Sequence, residues 1–161
     1  MSGVPLSLDP AAGKRLEAYL HAHIPLLRHM QARVDTCNAD GLTLSAPLAI
    51  NLNHEGTAFG GSLASLAMLA CWGLVWLLLE PGPAAHIVVA ESHMQFLRPV
   101  TDTLIAHCAL PQAAARQTFL ATLKRRNRAR LELQAEILQA HMVCANFSGC
   151  FAAHRNAARA G

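Results

Sequence analysis

NHEGTAFGGSLASLAMLACWGLVWLLLEPGP, residues 53–83, decides how the rest of the chain is read. From Gly60 to Leu79 the only polar side chains are Ser62 and Ser65. About twenty apolar residues are enough to cross a bilayer, and enough for a helix that a sheet wraps on most sides. The entrance is built of glycines and polar residues, Asn53, His54, Glu55, Gly56 and Thr57 leading to Gly60 and Gly61. The exit, EPGP at residues 80–83, stops a helix sharply.

The flanking segments choose between the two readings. Asp9 is placed to cap a short helix reaching His21, and Pro25 interrupts it. Residues 30–37 alternate, Met30, Ala32, Val34 and Thr36 opposite Gln31, Arg33, Asp35 and Cys37; NADG at 38–41 then makes a turn. Residues 42–50 alternate again, with Pro47 marking an edge or a bulge. Beyond the apolar run, residues 86–97 read as a strand with Val88, Ala90, Ser92, Met94 and Phe96 on one face and Glu91, His93 and Gln95 on the other. Residues 103–110 form another strand, and 112–126 a helix with a basic last turn. In 130–138, Arg130, Glu132, Gln134 and Glu136 alternate with Leu131, Leu133, Ala135 and Ile137, a strand with one wet face. A turn near Gln139–His141 leads to a last strand, MVCANFSGCFAA. Strands with one dry face need an apolar surface to pack on, and the long helix is the large candidate. The expectation is therefore an α+β fold, five or six antiparallel strands wrapped around one long central apolar helix, with no membrane span. No aromatic belt with basic flanks argues otherwise.

The 161 residues are 53% hydrophobic and only 14% charged, which excludes a disordered chain and favours one sizeable core. The five cysteines, Cys37, Cys71, Cys108, Cys144 and Cys150, are scattered without a CxxC pair or zinc spacing. They read as reduced thiols of a cytoplasmic protein, with no metal and no cofactor. The N-terminus lacks the pattern of a secretory signal, and the Ala-rich end, 154–161, is expected to fray. Lys124, Arg125, Arg126, Arg128 and Arg130 crowd into seven residues. This cluster is short and free of interleaved aromatics, so it does not read as a nucleic-acid surface.

NLNHEGTAFGGSLASLAML resembles the approach to the central helix of hotdog-fold thioesterases, N-x-x-G-x-x-H-G-G, and HMQFLRPV is similar to their third-strand signature ending in L-R-P. With Phe59 before the glycines, the chain looks most like the YiiD C-terminal domain family of thioesterases, and more distantly like PaaI and 4-hydroxybenzoyl-CoA thioesterases. The resemblance covers about residues 15–153 and implies one hotdog domain over 1–161, without the acetyltransferase domain that precedes it in some members. It further implies hydrolysis of acyl-CoA or acyl-carrier-protein thioesters in fatty acid metabolism, by a homodimer or dimer of dimers with shared active sites.

Thioester hydrolysis needs a polarised carbonyl, an activated water or carboxylate, and room for the acyl chain. The backbone N–H groups of Gly60 and Gly61, at a helix start, suit a developing oxyanion. The resemblance carries the family's Asn onto Asn53, which would orient water or thioester. His54, Gly56, Thr57 and Phe59 share the loop. Two departures stand out: Phe59 replaces the family's His, and Met68 stands where many members have a carboxylate. A methionine cannot activate water, so Glu55 becomes the candidate base, with Glu91 and His93 behind it. Ser65 shares a helix face with Met68 and is placed to hold a water, while Met68 and its neighbours would line the acyl pocket. Arg125, Arg126 and Arg128, with Lys124, would steer anionic CoA or a carrier protein. The missing carboxylate also leaves open a non-catalytic binder of acyl thioesters or acyl carrier protein.

Overall fold

The computed structural model describes residues 8–80 and 85–155. Helix α1 (Pro10–His23) begins at Asp9, whose Oδ1 accepts the Ala12 N–H at 2.7 Å. Pro25 does more than interrupt it: it opens a second, five-residue helix, α2 (Pro25–His29), because its fixed φ suits a first helical position. Strands β1 (Arg33–Asn38) and β2 (Gly41–Ala46) pair through the expected turn. Pro47 ends β2, and residues 48–50 form one 3-10 turn where continued strand was expected.

The long helix α3 runs from Gly60 to Leu79 as anticipated, and ten of its twenty residues are buried. Leu66, Leu74 and Val75 are fully enclosed, each contributing about 2 kcal/mol by leaving water. The chain then forms β3 (Ala85–Phe96), β4 (Leu104–Ala109), α4 (Ala113–Arg126), β5 (Arg128–Gln139) and β6 (Met142–Arg155). The six strands make one antiparallel sheet in the order β1-β2-β4-β5-β6-β3. Its inner face packs on α3, giving the hotdog arrangement. The apolar run is a core helix. Of the expected stop at 80–83, Glu80 ends the helix and pairs with Arg15 at 3.0 Å, and the rest lies outside the described residues.

Two bulges change which residues face inward. Val34 pairs with Leu44 and Thr36 with Thr43, so Asp35 is an extra residue and Cys37, not Thr36, is buried. On β3 the register skips Ala90, so Ile87 and Val89 share the inner face with Met94, where Val88 and Ala90 were expected. The β5 alternation is as read, with Leu131, Leu133, Ala135 and Ile137 buried. Strand β6 extends to Arg155, whose N–H donates to Asn127 O, so residues 154 and 155 belong to the sheet and not to a fraying end; residues 156–161 of that expected tail lie outside the described residues.

Cys37, Cys71, Cys108 and Cys144 are buried and Cys150 is half-buried, all as free thiols. A hydrogen bond with Cys108, then burial, pushes the Cys71 thiol far up, and burial raises Cys37. Both remain protonated core residues at neutral pH.

Candidate functional site

Loop 51–59 sets the entrance of α3. A single bridge pairs Leu52 with Ala58. Inside it, Asn53 Oδ1 accepts the N–H groups of Glu55 (2.9 Å) and Thr57 (3.1 Å), while its Nδ2 donates to Thr57 Oγ1 at 2.9 Å. Gly56 takes φ 77°, a conformation that glycine adopts freely, and closes the turn onto Asn53 O. The Asn53 amide is thus spent on folding its own loop. His54 and Glu55 stand at the exposed tip, Nε2 to Oε1 at 3.1 Å.

The anchor of this loop is a residue the sequence reading passed over. Asn51, 3% exposed, donates from Nδ2 to Pro47 O (2.8 Å) and Met30 O (3.1 Å). Its carbonyl accepts the Phe59 N–H at 2.7 Å, and Ala58 N–H donates to Val100 O. The loop is therefore tied to α2, to β2 and to the segment after β3. An Asn immediately after an apolar stretch was the available signal; its burial was not legible.

Phe59 occupies the N-cap of α3 and offers no capping side chain. The backbone N–H groups of Gly60, Gly61 and Ser62 make no hydrogen bond to any described residue. Two exposed rings flank them: Phe96 lies 3.3 Å from where a Gly60 Cβ would stand, and the Phe59 ring covers the same position at Gly61. The result is three unpaired donors at the positive end of a twenty-residue helix, between aromatic faces. Ser65 and Met68 are half-buried further along α3, Met68 against the core.

The other candidates lie elsewhere in the subunit. Glu91 and His93 alternate with the inward Met94, so they stand on the outer face of the sheet. There they line a depression of about 270 Å³ with Glu132, Gln134, Ser148 and Cys150. The sheet separates them from the helix entrance. Arg125, Arg126 and Arg128 sit at the end of α4 and the start of β5, where Arg128, His154 and His86 lie in one row. The row nearest the entrance, Ile137, Ala145 and Phe96, is nine residues away, about 30 Å along the strands. A separate cavity of about 440 Å³ is lined by His21, Arg28, Arg33, Ser45 and Thr103, beside the Pro47 end of β2. Among the described residues, no cluster of His, Cys, Asp and Glu is arranged to hold a metal ion.

Comparison with known proteins gives the family and the fold. Residues 13–155 match the family described as "Putative thioesterase (yiiD_Cterm)". A crystal structure of a protein of unknown function from Chlorobaculum tepidum TLS is 32% identical, with 93% of this chain and 99% of that one covered and a TM-score of 0.87. A thioesterase-named structure from Shewanella oneidensis is 29% identical over 89% of this chain and 98% of its own, TM-score 0.81. The PaaI protein of the E. coli phenylacetic acid degradation operon, 18% identical over 94% and 97% of the two chains, shares the fold at a TM-score of 0.59.

Proposed function

This chain belongs to the YiiD C-terminal family of thioesterases, and from that premise we propose that it hydrolyses acyl thioesters of CoA or acyl carrier protein in the cytoplasm. The observation that carries this is the uncapped start of α3, where the Gly60, Gly61 and Ser62 N–H groups have no partner among the described residues. The thioester carbonyl accepts from the Gly60 and Gly61 N–H groups, which hold the oxyanion as it forms. Water adds to the carbonyl carbon, the C–S bond breaks, and the products are a carboxylic acid and a free thiol. Glu55, beside His54, takes the proton of the attacking water. Asn53 acts through the loop that it folds. Thr57 and Gly56 brace that loop, and Ser65 and Met68 begin the acyl trough.

The working unit is a homodimer or a dimer of dimers. β3 ends the sheet with a twelve-residue edge that no described strand pairs, and such an edge invites a second copy. Two-fold antiparallel pairing of β3 with itself sets the Arg128 end of one subunit beside the Phe96 end of the other. The basic cluster that lies far from its own loop then flanks the neighbouring one, where phosphates of CoA or an acidic carrier protein approach.

The test is thiol release from acyl-CoA and acyl-carrier-protein panels. Glu55→Gln is expected to lower kcat about 100-fold or more with little change in KM; unchanged turnover would remove Glu55 from the chemistry. Arg125→Glu with Arg126→Glu is expected to raise KM for the carried substrate at least tenfold while leaving the oligomer intact, and an unchanged KM would dismiss the steering role. A carrier-protein binder without turnover is the second reading, favoured by Met68 at the position of the usual carboxylate. It predicts carrier-protein binding with no thiol release.

A further inference from the structure

We propose that Trp72 closes the acyl trough and limits the substrate to medium chains, an inference that rests on the thioester reading above. Gly61, Ser65, Met68 and Trp72, spaced by four, three and four residues, form one stripe of α3 beginning at the free N–H groups. This stripe is at most half-buried beyond the exposed Gly61, whereas Leu63, Leu66, Ala67, Ala70 and Cys71 are enclosed. It runs beside β3 between two contacts, Gly60 against the Phe96 ring at one end and Trp72 against Ile87 at the other.

The side chains along it change abruptly. Gly61 lies under the exposed Phe59 ring, small Ser65 and flexible Met68 follow, and then the largest side chain of all stands in line. Trp72 is held on two sides: its Nε1–H donates to Ile87 O at 3.1 Å, and its ring lies nearly parallel to Tyr19, 6.1 Å away and 15° apart. Tyr19 is itself stacked on His23 at 4.1 Å and set against Trp76 at 5.2 Å. An indole fixed by a backbone carbonyl and an aromatic stack is a wall and not a gate.

The position of that wall sets a length. Eleven residues of helix from Gly61 to Trp72 span about 16 Å. An extended chain advances about 1.2 Å per bond, so after the thickness of the indole about ten carbons fit. Longer chains have to displace the ring from Ile87 O or turn out into solvent.

The experiment is a chain-length series from four to eighteen carbons, read by thiol release from acyl-CoA and by calorimetric binding of non-hydrolysable acyl-CoA thioethers. The native protein is expected to lose at least tenfold in kcat/KM, and in affinity, between ten and fourteen carbons. Trp72→Ala is expected to move that fall by four carbons or more while four- to eight-carbon substrates change less than threefold. Trp72→Phe, which keeps the packing and loses the hydrogen bond, should move it less. A native protein that takes sixteen carbons as well as eight, or a Trp72→Ala protein that folds with an unshifted profile, would overturn the ruler. Absence of turnover at every length would defeat the hydrolase reading alone, since the thioether series still reads the wall; absence of binding at every length would overturn both.

Discussion

Gly61→Pro is expected to cut kcat by about 100- to 1000-fold, the loss that follows removal of one oxyanion donor, while Gly61→Ala stays within about tenfold of the native rate. Proline removes the N–H and keeps the backbone dihedral, and the first turn of a helix tolerates it. Both substitutions add a Cβ where the Phe59 ring now lies. That ring is 54% exposed, so the cost of the added Cβ is common to the pair, while proline alone adds ring carbons next to Gly60. The difference between them reads the donor when the two variants are equally stable. Thermal unfolding and helix content should be alike in the two variants. Equal activity of Pro and Ala at position 61 would show that the Gly61 N–H does not touch the reacting carbonyl.

Asn51→Ala is expected to destabilise the protein by about 2–3 kcal/mol and to abolish most activity. The substitution leaves the buried Met30 O and the half-buried Pro47 O without their donor, and an unsatisfied buried group costs about 1–3 kcal/mol. For a domain of this size the midpoint of thermal unfolding should fall by about 5–10 °C. Activity falls because the Asn51 side chain fixes the position of its own backbone carbonyl, which alanine keeps but no longer anchors and which holds the Phe59 N–H at 2.7 Å where α3 begins. By contrast Asn53→Ala loses bonds that close loop 53–58, at half-buried and exposed positions, and should lower the midpoint less than Asn51→Ala does. A midpoint unmoved by Asn51→Ala would contradict the anchoring role.

These two asparagines mark where the sequence stops speaking. N-x-N in front of a glycine pair names a polar loop, but two residues apart they look equivalent. Only the approach of Met30 and Pro47 separates a buried anchor from a loop folder. The long helix and the β5 strand were legible because their patterns run unbroken for twenty and nine residues, longer than any local accident. The faces of β1 and β3 were not, since one extra residue at Asp35 or Ala90 reverses parity and leaves no mark in composition. Glu91 and His93 looked available because alternation gives two faces without saying which one meets the helix. The arginines near 125 were visible as a cluster, yet their distance from the loop depends on the strand order, which joins β5 to β6 and β6 to β3. Trp72 carried a signal in its spacing from Gly61; its meaning needed the carbonyl of Ile87.

The most direct test of the central claim is a crystal structure with an acyl-CoA analogue in which a methylene replaces the sulfur and the carbonyl is kept. The carbonyl oxygen is expected within hydrogen-bond distance of the Gly61 N–H, with the acyl chain over Ser65 and Met68 toward Trp72. An analogue seated instead in the cavity beside Arg28 and Arg33, with the α3 entrance unvisited, would contradict it.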